Sequence, residues 1–126
     1  MTTLMLVRHG ETVDNANRIM QGQTQGQLNE TGIRQAEEVA ISLAGEHVDA
    51  VVSSDLKRSY DTACIIANKH GLDVSTTKLL RERDWGSFTG RYIPDLKEEK
   101  WPDDIESLDH LLYRAKIFLD FVRSEY

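Results

Sequence analysis

Cysteine occurs once in the 126 residues, at Cys64, so no disulfide can close within the chain. A lone thiol fits a reducing compartment, and Cys64 sits in the apolar stretch ACIIA with no adjacent base, the setting of a structural residue. Long apolar runs are missing too, and nothing approaches the roughly 20 residues of a membrane-spanning helix. Met1-Thr2-Thr3 offers no basic region ahead of a short apolar run, so no secretory signal is expected and the cytoplasm is the expected location. Positive charge is in deficit, with 15 Lys and Arg against 21 Asp and Glu and a net charge of −6. Nucleic acid and anionic membranes are therefore disfavoured as partners, and any anion site must be a local basic pocket. Internal repeats and linker-like composition are absent. With 40% hydrophobic residues the chain is expected to form a single domain over residues 1–126.

What is present is organised around the stretch LMLVRHGETVDNANRIMQG, residues 4–22. Leu4-Met5-Leu6-Val7 is a continuous apolar run, the signature of a strand buried on both faces of a parallel sheet. Ligands of such sheets sit beyond the carboxyl ends of the strands, where this run meets Arg8, His9 and Gly10. A planar cation, an imidazole able to be neutral near pH 7 and a residue without a side chain suit a phosphate better than a metal. On residue type alone His9 reads as a structural histidine. Its place at a strand end beside Arg8 argues for a functional one.

The polar stretch 10–28, rich in Gly, Gln and Asn, reads as an ordered loop at that site. A helix is expected from Asn29 or Thr31 to Ala44, with Ile33, Ala36, Val39, Ala40, Leu43 and Ala44 on one stripe. A second buried strand follows over Val48–Ser53, then a helix over Asp55–Lys69 that buries Leu56, Tyr60, Ala63, Cys64 and Ala67. A short strand over Asp73–Thr76 completes a β-α-β-α-β alternation and implies a mainly parallel α/β sheet flanked by helices. A last amphipathic helix begins near Ser107, after Asp103-Asp104, whose place ahead of a helix suggests capping. His47 and His70 fit a loop and a helix C-terminus, and no histidine stands in metal-ligand spacing with another or with Cys64.

Arg58 falls in the first turn of the second long helix, where the positive end of the helix dipole disfavours a cation unless an anion lies between them. A solvated surface arginine is the plain alternative. Glu82 lies in LLRERDWGSFTG, which by itself could be a solvated charge run.

RHGET with Asn15 resembles the opening motif of the histidine phosphatase superfamily, the phosphoglycerate mutase-like proteins. Ser54, Leu56, Arg58, Thr62 and Ala63 resemble its second motif, and the segment from Glu82 to Gly90 resembles a third. The resemblance implies a three-layer sandwich and phosphomonoester hydrolysis. It makes His9 the phosphohistidine nucleophile and Glu82 the proton donor, with Asp84 as fallback. It makes Arg8, Gly10, Asn15, Gln21, Gly22 and Arg58 the phosphate-side contacts, with no metal and no cofactor. A small phosphorylated metabolite is the expected partner. Mutase chemistry is less expected, because the segment from Glu82 to the last helix is short, with residues 91–101 bordering the entrance. The family's second site histidine, after a further strand, has no counterpart, and His110 in SLDHLLYR does not supply it. That gap, with only three strands for three helices, suggests a C-terminally incomplete copy. A second copy of the chain could cover the apolar surface left bare, giving a homodimer, and a non-catalytic phosphate-binding module remains the rival reading.

Overall fold

The computed structural model describes residues 1–126. Thr12 opens a one-turn helix, α1 (Val13–Ala16), inside the stretch read as loop, through a reciprocal box in which its hydroxyl accepts from the Asn15 amide and its own amide donates to the Asn15 side chain. Asn29 caps α2 (Glu30–Leu43) by accepting from the Gly32 amide, and α2 buries Gly32, Ala36 and Ala40. Ile33, placed on the buried stripe by its spacing, is exposed instead. The chain then forms β1 (Val51–Ser54), α3 (Lys57–Asn68) and β2 (Val74–Thr77). β1 and β2 pair in parallel, Val51 opposite Val74 through Ser54 opposite Thr77, and α3 packs on both. Three 3₁₀ turns over Lys78–Leu80, Gly86–Phe88 and Ile93–Leu96 lead to α4 (Leu108–Glu125). The expected α/β character is present, as two parallel strands with α3 packed on them, α2 on α3 and α4 on the first 3₁₀ turn.

Several expectations are corrected. Leu4–Val7 is not a strand: residues 1–9 take part in no backbone–backbone hydrogen bond, and Leu6 is 85% exposed. A strand exists only through a partner's N–H and C=O groups, and no partner lies beside this run. With two paired strands the sheet does not reach a three-layer sandwich. The second expected strand starts at Val51, leaving Val48 to Ala50 outside it. On α3 the inward face holds Arg58, Thr62, Ala63, Ile66 and Ala67, while Tyr60 is exposed and Cys64 half-buried. On α4 the buried residues are Arg114, Phe118 and Val122, spaced by four, with Leu108, Leu112 and Leu119 exposed. Ser107, not the Asp pair, caps α4, accepting from the His110 amide; Asp104 instead accepts from the Ser87 amide and hydroxyl. No helix is long and apolar enough to cross a membrane.

Candidate active site

His9 is half-buried and precedes Gly10, which lies against Gly32 of α2 and Thr62 of α3. Its Nδ1 lies 2.7 Å from the Gly10 carbonyl, which can only accept, so Nδ1 carries the proton and Nε2 keeps a free lone pair. Burial pushes its pKa below the ordinary histidine value; the Gly10 contact and Glu82 oppose this, while the positive fields of Arg58 and Arg8 add to it. Arg58, Arg8 and Glu82 therefore all act electrostatically on His9. Arg8 is exposed at the edge of this group.

Gly10 is fixed from two sides. Its amide donates to Thr62 Oγ1 at 3.1 Å, and that hydroxyl donates on to the Arg58 carbonyl at 2.8 Å. A Cβ at Gly10 would stand 2.3 Å from the Gly32 carbonyl oxygen, so only glycine lets this backbone approach the first turn of α2. In this arrangement the Gly10 N–H is engaged by Thr62. Thr62 thus joins Gly10 to Arg58, a role the sequence did not single out.

Arg58 is 2% exposed, with Nη1 donating to the Thr24 carbonyl at 2.6 Å and Nη2 to the Gly22 carbonyl at 2.7 Å. The conflict between a cation and the start of α3 is thus met partly by loop carbonyls, and the side chain braces the loop from inside. Its buried Nε has no hydrogen-bond partner. Burial lowers its pKa, with Glu82 and Asp14 opposing. Gly22, at φ +51°, turns the loop in a conformation side chains rarely adopt and so aims its carbonyl at Arg58.

Asn15 and Gln21 serve the same loop. Asn15 Oδ1 accepts from the Thr12 amide, and buried Gln21 accepts the Thr12 hydroxyl proton at 2.7 Å. In both, the oxygen is occupied and the NH₂ group has no protein acceptor.

Glu82 is exposed, and its carboxylate accepts only from the Arg83 amide at 3.0 Å. Its backbone is held tightly. Its carbonyl accepts from Gln23 of the loop and from Arg114 of α4. Arg81 before it grips both Asp55 oxygens at 2.7 Å. Arg83 after it lies over Trp85 and Trp101, 5.1 and 5.4 Å from the ring centroids. The segment 91–101 is tied back by Arg91 to Glu99, and an Ile19–Tyr92 bridge joins it to the loop. The Asp84 carboxylate accepts from the Gly86 amide. A polar cleft of about 570 Å³ adjoins this segment, lined by Gln23, Arg81, Asp84, Glu106, His110 and Arg114 among others. None of the eight residues first assigned to the site lines it.

Residues 4–123 match the model of the histidine phosphatase superfamily (branch 1). A Yersinia pestis (strain Pestoides F) protein named "Probable phosphoglycerate mutase GpmB" is 45% identical over 103 residues, covering 80% of this chain and 48% of its own length. The chain thus spans about half the length of the curated relatives it matches. A mycobacterial glucosyl-3-phosphoglycerate phosphatase solved with VO₃ superposes with a TM-score of 0.84 at 29% identity, over 92% of this chain and 64% of that one. Bacillus stearothermophilus YhfR superposes with a TM-score of 0.88 at 23% identity, covering 94% of this chain and 66% of its own, a likeness of fold. The chain belongs to the histidine phosphatase superfamily.

Proposed function

We propose that this chain carries the machinery of phosphomonoester hydrolysis through a phosphohistidine on His9, with Glu82 as proton donor. The observation that carries the reading is the His9 tautomer: Nδ1–H is anchored on the Gly10 carbonyl and burial disfavours the imidazolium, so Nε2 presents a lone pair at neutral pH. Nε2 attacks phosphorus in line, an N–P bond forms and the P–O ester bond breaks. Glu82 gives its proton to the departing alkoxide. Water then attacks phosphorus, the N–P bond breaks, and the Glu82 carboxylate takes the water's proton. Arg8, the remaining N–H donors of Arg58 and the free NH₂ groups of Asn15 and Gln21 stabilise the charge spread over the equatorial oxygens.

The substrate is a small phosphorylated metabolite, in keeping with relatives named as phosphoglycerate mutase and glucosyl-3-phosphoglycerate phosphatase. Hydrolysis is favoured over mutase transfer because Glu82 is exposed to water. Residues 1–126 act as one unit in the cytoplasm. The unpartnered backbone and half-bare side chains of Leu4–Val7 support a further strand pairing there to complete the three-layer sandwich, supplied by a longer chain or by self-association.

The rival is a module that binds a phosphorylated ligand in the same place without reacting. Intact-mass analysis after exposure to a phosphomonoester distinguishes the two. An acid-labile phosphoryl adduct present on the parent and absent from His9→Ala is expected; reversible phosphate binding by both proteins with no adduct favours the module.

A further inference from the structure

We propose that Arg114, fixed by Glu106, is the positioning residue that sets where Glu82 presents its carboxyl; this rests on the reading of Glu82 as proton donor. Arg114 lies on the inward face of α4, in line with Phe118 and Val122, and its side chain is 9% exposed. A guanidinium buried there is costly unless its donors are met. They are all met. Nε and Nη2 donate to the two Glu106 oxygens at 2.6 and 2.7 Å, and Glu106 is itself buried. Nη1 donates to the Leu79 and Arg81 carbonyls at 2.9 and 2.8 Å, and Nη2 to the Glu82 carbonyl at 3.1 Å. The five N–H groups of the fork thus meet five acceptors.

The direction of these bonds is what distinguishes the pair from an ordinary ion pair of helix packing. Glu106 fixes the plane of the fork from one edge, while the remaining donors grip the carbonyls of Leu79, Arg81 and Glu82 itself. Beyond Glu82 the same carboxylate accepts from the Asp84 amide at 3.0 Å, and the Glu106 amide donates to the Asp84 carbonyl at 2.8 Å. The backbone on both sides of Glu82 is therefore referenced to one Arg–Glu unit. The Glu82 carboxylate has no side-chain partner of its own, so its position follows from that backbone. Lysine at 114 would keep the charge but reach only part of this fork.

Leaving-group dependence tests the assignment, because a misplaced proton donor matters only when the leaving oxygen needs a proton. kcat/KM is compared for p-nitrophenyl phosphate, whose phenolate leaves unaided, and for glycerol phosphate, whose alkoxide does not. Arg114→Lys is expected to lose about 30-fold on glycerol phosphate and less than about 3-fold on p-nitrophenyl phosphate, with Glu82→Gln showing a larger split. If Arg114→Lys does not fold, Glu106→Gln, which keeps one acceptor oxygen, is expected to show the same split in smaller degree. Equal losses on both substrates, or loss on neither, overturn the positioning role while Glu82→Gln retains its split. Absence of a split in Glu82→Gln, or no turnover of either ester by the parent, overturns the proton-donor reading and this inference with it.

Discussion

At the scale of single residues, the proposed reaction makes pH act through His9, which must be neutral to use Nε2. Burial holds its pKa below the ordinary 6.5, and the fields of Arg58 and Arg8 act in the same direction. The neutral imidazole therefore persists as pH falls through 6.5 in the folded chain, whereas the unfolded chain takes up its proton there. By linkage His9 lowers stability as pH drops through 6.5, and that loss is absent at higher pH. The acid limb of kcat/KM is accordingly expected below pH 6.5. Arg8→Met removes one positive neighbour and moves the limb upward, even though phosphate binding weakens. The His9 ring-proton chemical shift followed against pH gives the same midpoint without turnover; a midpoint at or above 6.5 contradicts the burial argument.

At the scale of elements, the Glu106–Arg114 pair joins α4 to the Glu82 segment, and its charge makes that junction sensitive to acid. Hydrogen bonding to Arg114, more than any other contact, holds the Glu106 carboxyl down at about 2, from an ordinary 4.5. A depressed carboxylate stabilises the fold above its unfolded pKa and loses that contribution as pH falls from about 4.5 toward 2. At 1.36 kcal/mol per unit the contribution is on the order of 3 kcal/mol. Urea unfolding between pH 5 and 2.5 is expected to show the parent losing stability more steeply than Glu106→Gln; parallel curves contradict the pairing. This junction also marks the limit of what the sequence discloses. The α2, α3 and β2 segments were legible because helical period, capping residues and β-branched clusters are local signals. The family was legible because the motifs around His9, Arg58 and Glu82 are distinctive letters. Arg114 is not legible from sequence, because three of its five acceptors are backbone carbonyls, which look alike in every sequence, and the other two belong to Glu106, eight residues away. A charged residue four positions before Phe118 was the available clue. Leu4–Val7 misled for the complementary reason: its composition suits a strand, but strand formation depends on another segment's hydrogen bonds.

At the scale of the whole molecule, two opposing tendencies meet on one surface. Leu4, Met5, Leu6 and Val7 are all at least 40% exposed, and their backbone N–H and C=O groups pair with no strand. Such an edge favours pairing with a second copy. The net charge of −6 on each chain resists it, since like-charged molecules repel over a Debye length. That length falls from about 30 Å at 0.01 M salt to about 8 Å at 0.15 M, whereas apolar burial is not weakened by the same change. Association is therefore expected to rise with salt, the reverse of an assembly held by surface ion pairs. Sedimentation velocity across that salt range should show the weight-average mass increasing toward a dimer for the parent chain. Leu6→Glu, at the most exposed position of the run, adds a charge to the edge and should hold the chain at monomer mass throughout. A parent that stays monomeric at every salt concentration, or a Leu6→Glu variant that associates as strongly as the parent, removes Leu4–Val7 from the interface. The bare apolar edge would then be tolerated without a second copy covering it.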